Sequence, residues 1–402
     1  MRDYSRLDAT AFSRAMTSEL HVVVVGAGAL GNEVVKNLAL IGVGRLLIVD
    51  RDRVEPSNLT RSVLFCVSDI DEHIARGTPK AELAASRVAA LNPDVDVHSH
   101  VGEVADLGMG ILRQADLVFS CLDNEMARLE LSWACTRLDK PLVDGGLGLI
   151  NPSSGMVSVF PGVDGPCYAC RKGGERRRSL LQELQGREDP CGLKERTQQR
   201  DAVIPTTPTM ASMIGALQVE MGIRHVCSNA GAAASAGVSH RITLHPQVHL
   251  DTLRFERSPN CPLHDPESVI RDVCQRTDRS SEAWTAAQLL AETSDAGGFL
   301  SLDWPITARA MCRQCGHEWE PMVRRARFRK QVCPHCEGGD VAETEVLTGI
   351  DASSSWAERS LADLGLPLGH IHEVVLGSTA DAPRRHVEVS GDLRARREAT
   401  AS

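Results

Sequence analysis

The stretch that decides the fold is HVVVVGAGALG, residues 21–31. Residues 21–25 are a short, mostly β-branched run, which is typical of a buried parallel strand. Gly26, Gly28 and Gly31 follow at once and lead into residues with helical spacing. Glycines between a strand and a helix let the backbone approach a phosphate, and the N-terminus of a helix favours negative charge. The stretch therefore predicts a strand–turn–helix unit that binds a nucleotide.

Strands and helices alternate over the residues that follow. Apolar runs at 45–50, 95–98 and 115–120 predict strands, and residues 80–91 predict a helix. Alternation at this spacing indicates βαβ units. We therefore expect an α/β fold with a Rossmann-like, mostly parallel sheet.

Composition excludes several classes of protein. The chain has 402 residues, which suggests two or three domains. Its net charge of −9 argues against a general binder of the nucleic-acid backbone. Aromatic residues make up 3%, which is too few for a surface that stacks single-stranded bases. No apolar run reaches about 18 residues, and residues 1–16 lack a signal-peptide core. We expect a cytoplasmic protein with no nucleic-acid or membrane partner.

The residues after the glycine turn decide between two kinds of nucleotide chemistry. Asp50 ends the second strand, where it can bind a ribose, and with the turn alone this indicates an NAD-dependent dehydrogenase. Arg61, Lys80 and Asp123 favour an adenylation site instead. A triphosphate needs cations to balance its charge and a carboxylate to hold Mg²⁺. Taken singly, each of these residues is better explained as a surface ion pair or a helix cap. Their combination and order are what support the adenylation site.

With these motifs the chain resembles the ubiquitin-activating-enzyme superfamily, which includes the ThiF/MoeB-type adenylyltransferases of molybdopterin and thiamine biosynthesis. The resemblance covers residues 4–265. It implies ATP and Mg²⁺ as cofactors. Two departures are Ala29 and Ser62, where members often have Gly and Gln. The ATP-site pattern of the family maps on Gly26, Gly28, Gly31, Asp50, Asp52, Asn58, Arg61, Lys80 and Asp123.

The resemblance also assigns two residues outside the glycine turn. A Tyr-x-Arg near the N-terminus of the family places its Arg in the partner subunit's ATP site, and Tyr4-Ser-Arg6 matches it, which implies a homodimer. The alternative is a disordered N-terminal arm. Related activating enzymes place a thioester cysteine in the loop where Cys191 lies. The basic residues around Cys191 would lower its pKa. An incidental loop cysteine and Cys227 are the alternatives. The basic residues are Arg187, Lys194, Arg196 and Arg200.

The chain has 13 cysteines, an odd total that fits disulfides poorly. The first predicted zinc site consists of Cys167, Cys170, Cys261 and His264, a set that gives a closed tetrahedral site. The family usually has four cysteines here. Cys274 and His249 are therefore alternatives to His264, and a redox-active Cys-x-x-Cys is the alternative to a metal site. Three other cysteines, Cys66, Cys121 and Cys135, lie in apolar contexts and are predicted to be buried.

A second cysteine group has the spacing of a zinc ribbon. Seventeen residues separate its two Cys-x-x-Cys pairs, and a metal would stabilise a module too small to build its own core. The basic run 324–330 lies between the pairs. It is consistent with nucleic-acid binding, but a solvated hairpin or a docking face for an acidic partner fits the negative net charge better. The predicted ligands are Cys312, Cys315, Cys333 and Cys336.

The predicted domain organisation has four parts. An adenylation domain spans residues 1–266 and contains a catalytic-cysteine loop at about 171–205. A linker or helical segment spans 267–298, a zinc-ribbon-containing domain 299–378, and a disordered tail 379–402.

These predictions together indicate an enzyme that activates a small ubiquitin-like protein. The C-terminal carboxylate of that protein would attack the α-phosphate of Mg·ATP, and the acyl group would pass to Cys191 and then to a conjugating enzyme. The residues from the ribbon onward exceed what sulfur-carrier adenylyltransferases need, and no rhodanese-like domain is recognisable. Both points favour the activating enzymes of bacterial ubiquitin-like conjugation operons, by analogy. The alternatives are a sulfur-carrier or peptide-modifying adenylyltransferase without a thioester step, and a silent scaffold that binds a ubiquitin-like protein.

Overall fold

The structure of the protein is a computed structural model. It forms two compact units. The described parts of Met1–Ala105, Leu112–Gly174 and Arg196–Val269 make up the first unit, and those of Asp106–Ile111, Glu175–Glu195 and Ile270–Ser402 make up the second. The residues that the structure describes are 2–10, 12–71, 76–148, 151–184, 205–227, 236–264, 269–270, 272–273, 275–277, 284–293, 298–328, 331–367, 369–377 and 382–389.

The elements up to residue 254 are α1 (Ser5–Asp8), α2 (Arg14–Thr17), β1 (His21–Val25), α3 (Ala29–Ile41), β2 (Arg45–Asp50), β3 (Ile70–Asp71), β4 (Arg76–Gly77), α4 (Lys80–Leu91), β5 (Asp96–Val101), α5 (Met109–Arg113), β6 (Leu117–Ser120), α6 (Glu125–Arg137), β7 (Leu142–Leu147), β8 (Ser154–Phe160), α7 (Gly174–Leu184), α8 (Pro208–Cys227), β9 (Val238–Thr243) and β10 (His249–Arg254). Short 3₁₀ helices lie at Pro56–Asn58, Val67–Asp69, Val104–Asp106 and Pro262–His264.

The elements that follow are β11 (Gln275–Thr277), α9 (Ala286–Thr293), β12 (Phe299–Cys312), β13 (Glu318–Trp319), β14 (Val323–Arg324), α10 (Arg325–Phe328), β15 (Val341–Asp351), β16 (His370–Val375) and β17 (Arg384–Val389).

One eight-stranded sheet organises the first unit, in the order β10-β9-β8-β7-β6-β1-β2-β5. The five strands from β7 to β5 pair in parallel, and β8, β9 and β10 extend the sheet in antiparallel fashion. The prediction of an α/β fold with a mostly parallel sheet is confirmed. Because β1 is covered on both faces, four of its five residues are buried, which explains its continuous apolar run.

Two helices beside this sheet, α3 and α8, pack closely against each other. A Cβ added to Gly215 on α8 would lie 2.7 Å from the Cβ of Glu33 on α3. The glycine therefore allows the two helices to approach closely. The apolar residues of both helices, Val34, Val35, Leu38, Ile214 and Val219 among them, belong to one hydrophobic core with the parallel strands.

A second sheet organises the second unit around the long strand β12. This strand pairs antiparallel with β13, β14, β15 and β16, while β17 pairs antiparallel with β16 and parallel with β11. Residues 384–389 form β17, so the expectation of a disordered tail is wrong for this part. In the charged run RRHVEV, residues 384–389, polar and apolar side chains alternate at its end, and this places Val387 and Val389 in the hydrophobic core. The other predicted domain boundaries stay a prediction.

Among the residues that the structure describes, no helix is both long and apolar enough to cross a membrane.

Candidate functional site

The glycine turn after β1 depends on two close backbone approaches. Gly26 has a φ of 98°, and a Cβ there would lie 2.5 Å from the carbonyl oxygen of Cys121. A Cβ on Gly31 would lie 1.9 Å from the carbonyl oxygen of Gly26. Any side chain at these two positions would force the turn open. At Gly28, in contrast, an added Cβ would meet nothing within 4 Å, so the space in front of the α3 N-terminus is open to a phosphate.

Asp50 lies at the end of β2 and holds the glycine turn. Its carboxylate accepts hydrogen bonds from the N–H groups of Ala27, at 2.6 Å, and Asp52, at 2.8 Å. Burial raises the pKa of Asp50, and these two N–H donors oppose that shift. Each carboxylate oxygen can accept two hydrogen bonds and here accepts one, so Asp50 has capacity left for a ribose hydroxyl.

Lys80 and Asp52 form an ion pair beside the turn. The Lys80 Nζ lies 3.3 Å from Asp52 Oδ2, and the Lys80 N–H donates to the Asp52 carbonyl at 2.8 Å. The side chain of Lys80 is 10% exposed and that of Asp52 is 53% exposed. A cation is therefore held at the first residue of α4, next to a carboxylate that solvent reaches.

Arg61 extends from a turn that Asn58 organises. Asn58 is buried, and its Oδ1 accepts a hydrogen bond from the Glu55 N–H at 3.0 Å. The Asn58 carbonyl accepts from the Arg61 N–H at 3.0 Å, and the Arg61 guanidinium donates to the Ser57 carbonyl at 2.7 Å. The position of the guanidinium thus depends on the local turn.

Asp123 is exposed in the loop after β6. The next residue, Asn124, caps α6 by accepting a hydrogen bond from the Ala127 N–H at 2.7 Å. The pKa of Arg51 is raised, first by its hydrogen bond to Glu103 and further by nearby negative charges that include Asp123. Strands β2 and β6 both pair in parallel with β1, so the loops that follow them lie at the same edge of the sheet. The carboxyl ends of adjacent parallel strands form the usual ligand crevice of such sheets.

The N-terminal arm is fixed by Tyr4. Its hydroxyl accepts a hydrogen bond from Asn92 Nδ2 at 2.8 Å and donates to Asp94 at 3.2 Å. The side chain of Arg6, two residues along, is exposed on α1. The role of Arg6 in a partner's ATP site stays a prediction.

The first cysteine group converges as a potential metal site. The Cys167 Sγ lies 3.7 Å from the Sγ atoms of both Cys170 and Cys261, and the Cys170 Sγ lies 3.3 Å from His264 Nε2. Zinc–sulfur bonds of about 2.3 Å place tetrahedral ligands about 3.8 Å apart. The donor set and its spacing therefore fit zinc. His249, the alternative ligand, is exposed on β10, and Cys274 lies outside the described residues.

The second cysteine group converges in the same way. The Sγ atoms of Cys312 and Cys336 are 3.6 Å apart, and those of Cys315 and Cys333 are 3.7 Å apart. All four sulfur atoms lie within 4.8 Å of one another, and the same holds for the four ligand atoms of the first group. Both groups thus offer the ligands and spacing of a structural zinc site.

The model of the ThiF family matches residues 9–263. The chain belongs to the ThiF family. Its sequence is 43% identical over 155 residues to a sulfur carrier protein adenylyltransferase of Thermus thermophilus, covering 37% of this chain and 54% of that protein. It is 41% identical over 150 residues to the SAMP-activating enzyme E1 of Haloferax volcanii, covering 37% and 52%. The matched stretch thus spans about half the length of these curated relatives.

The fold of this ThiF family member is also similar to that of solved proteins. A structure of E. coli MccB with MccA-N7isoASN superposes with a TM-score of 0.52 at 20% sequence identity, covering 65% of this chain and 73% of that chain. The likeness supports the fold.

The cysteines outside the two clusters differ in their surroundings. Cys191 and the four basic residues near it lie outside the described residues. Cys227, its rival, is half-buried at the end of α8, and burial raises its pKa. Cys121 and Cys135 are buried as expected. The expectation for Cys66 is wrong, because its thiol is exposed.

The basic run between the ribbon pairs is partly neutralised. Arg325 pairs with Glu343 at 2.8 Å, and Arg327 pairs with Asp106 at 2.9 Å. These ion pairs reduce the net positive charge that the run presents to a polyanion. Residues 329–330 lie outside the described part of the chain.

Asn32 contributes to the nucleotide site, although the sequence analysis did not single it out. It is fully buried, its Nδ2 donates to the carbonyls of Ala27 at 2.7 Å and Gly28 at 3.1 Å, and its Oδ1 accepts from the Leu64 N–H at 2.9 Å. It therefore links the glycine turn to the segment that carries Arg61. A polar residue directly after Gly31, inside an apolar helix face, is the signal that would have found it.

Replacement of Asn32 by alanine is expected to lower the free energy of unfolding by about 2–4 kcal/mol, because buried partners such as the Leu64 N–H lose a hydrogen bond at about 1–3 kcal/mol each. Urea unfolding of the purified protein measures this. Asn37→Ala, a half-buried position on the same helix, is the matched control, and an equal loss in both variants would contradict the linking role.

Proposed function

We propose that the protein is an ATP-dependent adenylyltransferase that activates the C-terminal carboxylate of a ubiquitin-like or sulfur-carrier protein. The observation behind this is the convergence of the glycine turn, the Lys80–Asp52 pair and Asp123 at the carboxyl ends of three adjacent parallel strands, β2, β1 and β6. The names of the two relatives, an adenylyltransferase for a sulfur carrier and an activating enzyme, agree with it.

The chemistry assigns each residue a task. A carboxylate oxygen of the carrier attacks the α-phosphorus of ATP, the bond to the β-phosphate oxygen breaks, and pyrophosphate leaves. The glycine turn and the α3 N-terminus would hold phosphate, and Asp50 the ribose. Lys80 and Arg61 would balance the triphosphate charge, while Asp123 would hold the Mg²⁺ that stabilises the leaving pyrophosphate. Arg6 of a second copy would complete the site in a homodimer.

Three residues weigh against a dehydrogenase. Hydride transfer needs neither a buried lysine at a helix start nor a carboxylate that solvent reaches on each side of the turn. In this chain Lys80 is the buried lysine, and Asp52 and Asp123 are the carboxylates that solvent reaches on the two sides of the turn. Cations and a Mg²⁺-binding carboxylate are, in contrast, what phosphoryl chemistry requires.

A thioester step is the finer part of the proposal. The adenylate would pass its acyl group to the Cys191 thiolate, with AMP as the leaving group, and a conjugating-enzyme cysteine would accept it next. The basic residues in the sequence around Cys191 favour its thiolate form. Cys227, the alternative nucleophile, is disfavoured because its pKa is raised. Activation of a sulfur carrier without this step is equally compatible with the site, and the relatives' names favour it.

Incubation with ubiquitin-like and sulfur-carrier proteins is expected to give ATP–pyrophosphate exchange that is lost when the C-terminal carboxylate of the carrier is amidated. If a thioester forms, non-reducing gels show an adduct that thiols remove, that disappears in Cys191→Ala and that persists in Cys66→Ala, an exposed cysteine. Exchange without an adduct contradicts the thioester step alone. Binding of a carrier without any exchange contradicts the enzyme and supports a scaffold.

A further inference from the structure

The residues that follow the first metal cluster contact a buried charge network. Arg171 comes directly after Cys170, and its guanidinium donates to Ser158 Oγ at 2.6 Å and to Asp144 Oδ2 at 3.4 Å. The guanidinium also lies 4.8 Å from the centre of the Tyr168 ring. Its side chain is 15% exposed, so these contacts replace water around the charge. The orientation of Arg171 is thus set on one side by the turn Cys167–Cys170, called the knuckle below, and on the other by strands β7 and β8.

Asp144 is the centre of the network. It is 1% exposed and lies on β7, where its Oδ1 accepts from Ser120 Oγ at 2.8 Å and from the Arg128 guanidinium at 2.7 Å. Arg171 is its second cation. A buried carboxylate is stable only when charges and hydrogen bonds compensate it fully, and Asp144 has both. The network therefore permits few alternative arrangements of its members.

The network ends at the loop that carries Asp123. Arg128 donates a second hydrogen bond to the backbone carbonyl of Leu122, the residue before Asp123. The knuckle contacts the same loop a second time, because Lys172 pairs with Glu125, the first residue of α6, at 2.6 Å. An unbroken chain of contacts thus runs from a metal ligand to the carboxylate that the proposed function assigns to Mg²⁺.

We propose that Arg171 is a positioning residue that couples metal binding at the Cys167–His264 cluster to the placement of Asp123, so that zinc in this cluster sets the affinity of the nucleotide site for Mg²⁺. The inference rests on the proposed function. Zinc fixes the Cys170 Sγ, and the Cys170 backbone leads directly into Arg171. When the knuckle loosens, Arg171 leaves Asp144, Arg128 turns toward the uncompensated carboxylate, and the Leu122 carbonyl loses its donor.

The role of Arg171 differs from a purely structural one in what it affects. Loss of a merely structural ion pair lowers the melting temperature and leaves the Mg²⁺ requirement of the folded protein unchanged. Loss of a positioning residue moves the ligand itself. Residues that orient a metal-binding carboxylate typically change metal affinity by about 10–100-fold when they are replaced.

Binding of a non-hydrolysable ATP analogue, measured by calorimetry over a range of Mg²⁺ concentrations, tests the inference on the zinc-loaded full-length protein. Arg171→Met is expected to raise the Mg²⁺ concentration at half-saturation about tenfold or more. Its zinc content should stay at the wild-type value. Arg241→Met is the matched control, because Arg241 forms an exposed pair with Asp251 in the same unit.

A second variant separates the loss of Arg171 orientation from a folding defect. Ser158→Ala removes the 2.6 Å hydrogen bond that orients Arg171 but keeps every charge, and we expect a smaller rise in the same direction. Removal of zinc from the wild type with a chelator should raise the Mg²⁺ requirement as Arg171→Met does. In Arg171→Met the chelator should not raise the Mg²⁺ requirement further, because zinc and Arg171 would act through the same contacts.

Two results would overturn the inference in distinguishable ways. If wild type, Arg171→Met and Arg241→Met bind the analogue with the same Mg²⁺ dependence, the coupling is absent and the proposed function stands. If the wild type binds no analogue with Mg²⁺ at all, the proposed function fails, and the inference fails with it.

Discussion

Lys80→Met is expected to lower ATP–pyrophosphate exchange by about 10²–10³-fold, the usual loss when one preorganised charge-stabilising donor is removed from an active site. The Lys80 side chain is 10% exposed, so its charge acts where water screens it little. Its backbone N–H is tied to the Asp52 carbonyl at 2.8 Å, which holds the ammonium group at the start of α4. A triphosphate bound as proposed would therefore meet a cation that requires no reorganisation.

The variant should fold as the wild type does. Methionine keeps the length and the apolar stem of lysine, which is the part that the surrounding core contacts. The partner left behind, Asp52, is 53% exposed and is solvated without the ammonium group. No buried charge is left unpaired, so the free energy of unfolding should change by less than about 1 kcal/mol.

Measurement of exchange at saturating carrier, with thermal unfolding in parallel, separates these two effects. Lys36→Met is the matched control, since Lys36 is half-buried and pairs with the buried Glu33 on α3, which keeps its hydrogen bond from Ser212. Exchange in Lys80→Met within a factor of about three of that in Lys36→Met would remove Lys80 from the charge-stabilising machinery.

The part of the site that could be predicted from sequence is the part that local geometry determines. The strand, the glycine turn and the helix of residues 21–31 are consecutive, and the local requirement for glycine follows from the positive φ of Gly26 and from the close approach of Gly31 to the Gly26 carbonyl. Lys80 begins α4 as predicted, because the preceding Pro79 marks a helix start. Short-range rules are sufficient for such features.

The remainder of the site depends on pairings that a sequence does not display. Asp144 acquires two arginine partners only because β7 lies between β6 and β8, and one of those arginines follows a cysteine knuckle. The place of His264 in the first cluster likewise depends on how the chain returns to Cys170. Alternatives such as His249 can be separated from it only when the distances are known.

The errors have physical reasons as well. Cys66 follows the apolar run 63–65, which suggests burial, but a 3₁₀ helix at Val67–Asp69 turns the chain outward and brings its thiol to Asp69. The high charge of residues 384–389 predicts a disordered tail where the structure has strand β17. Its polar residues lie between apolar ones that reach the core, and the charged neighbour Glu373 on β16 pairs with Arg384.

The largest effect on metal content is expected from Cys333→Ser. Cys312 and Cys333 are fully buried, and the four sulfur atoms of the ribbon lie within 4.8 Å of one another. A serine hydroxyl is a poor zinc ligand, and the free energy of structural zinc binding, about 10–16 kcal/mol in zinc-finger peptides, is also folding free energy. The wild type should hold two zinc ions per chain, one in each cysteine group, and the variant one.

Loss of this zinc should spread from the ribbon into the second sheet. Cys312 is the last residue of β12 and pairs with Val341, the first residue of β15, so the metal closes one end of this strand pair. We expect rapid proteolysis at residues 313–340 and a lower melting temperature for the second unit. Metal analysis and limited proteolysis, with Cys66→Ser as the control for a cysteine outside both clusters, measure the two effects.

The same variant separates the roles of the two metals. Because Cys333→Ser leaves Cys167, Cys170, Cys261 and His264 intact, the Mg²⁺ requirement for binding the ATP analogue should equal that of the wild type. Cys170→Ser should instead lose the other zinc and raise that requirement, since Arg171 follows this ligand directly. Two zinc ions retained in Cys333→Ser would contradict the ribbon assignment. Equal shifts in the Mg²⁺ requirement of both variants would show that the metals act on overall stability alone, because only one of them contacts the network around Asp144.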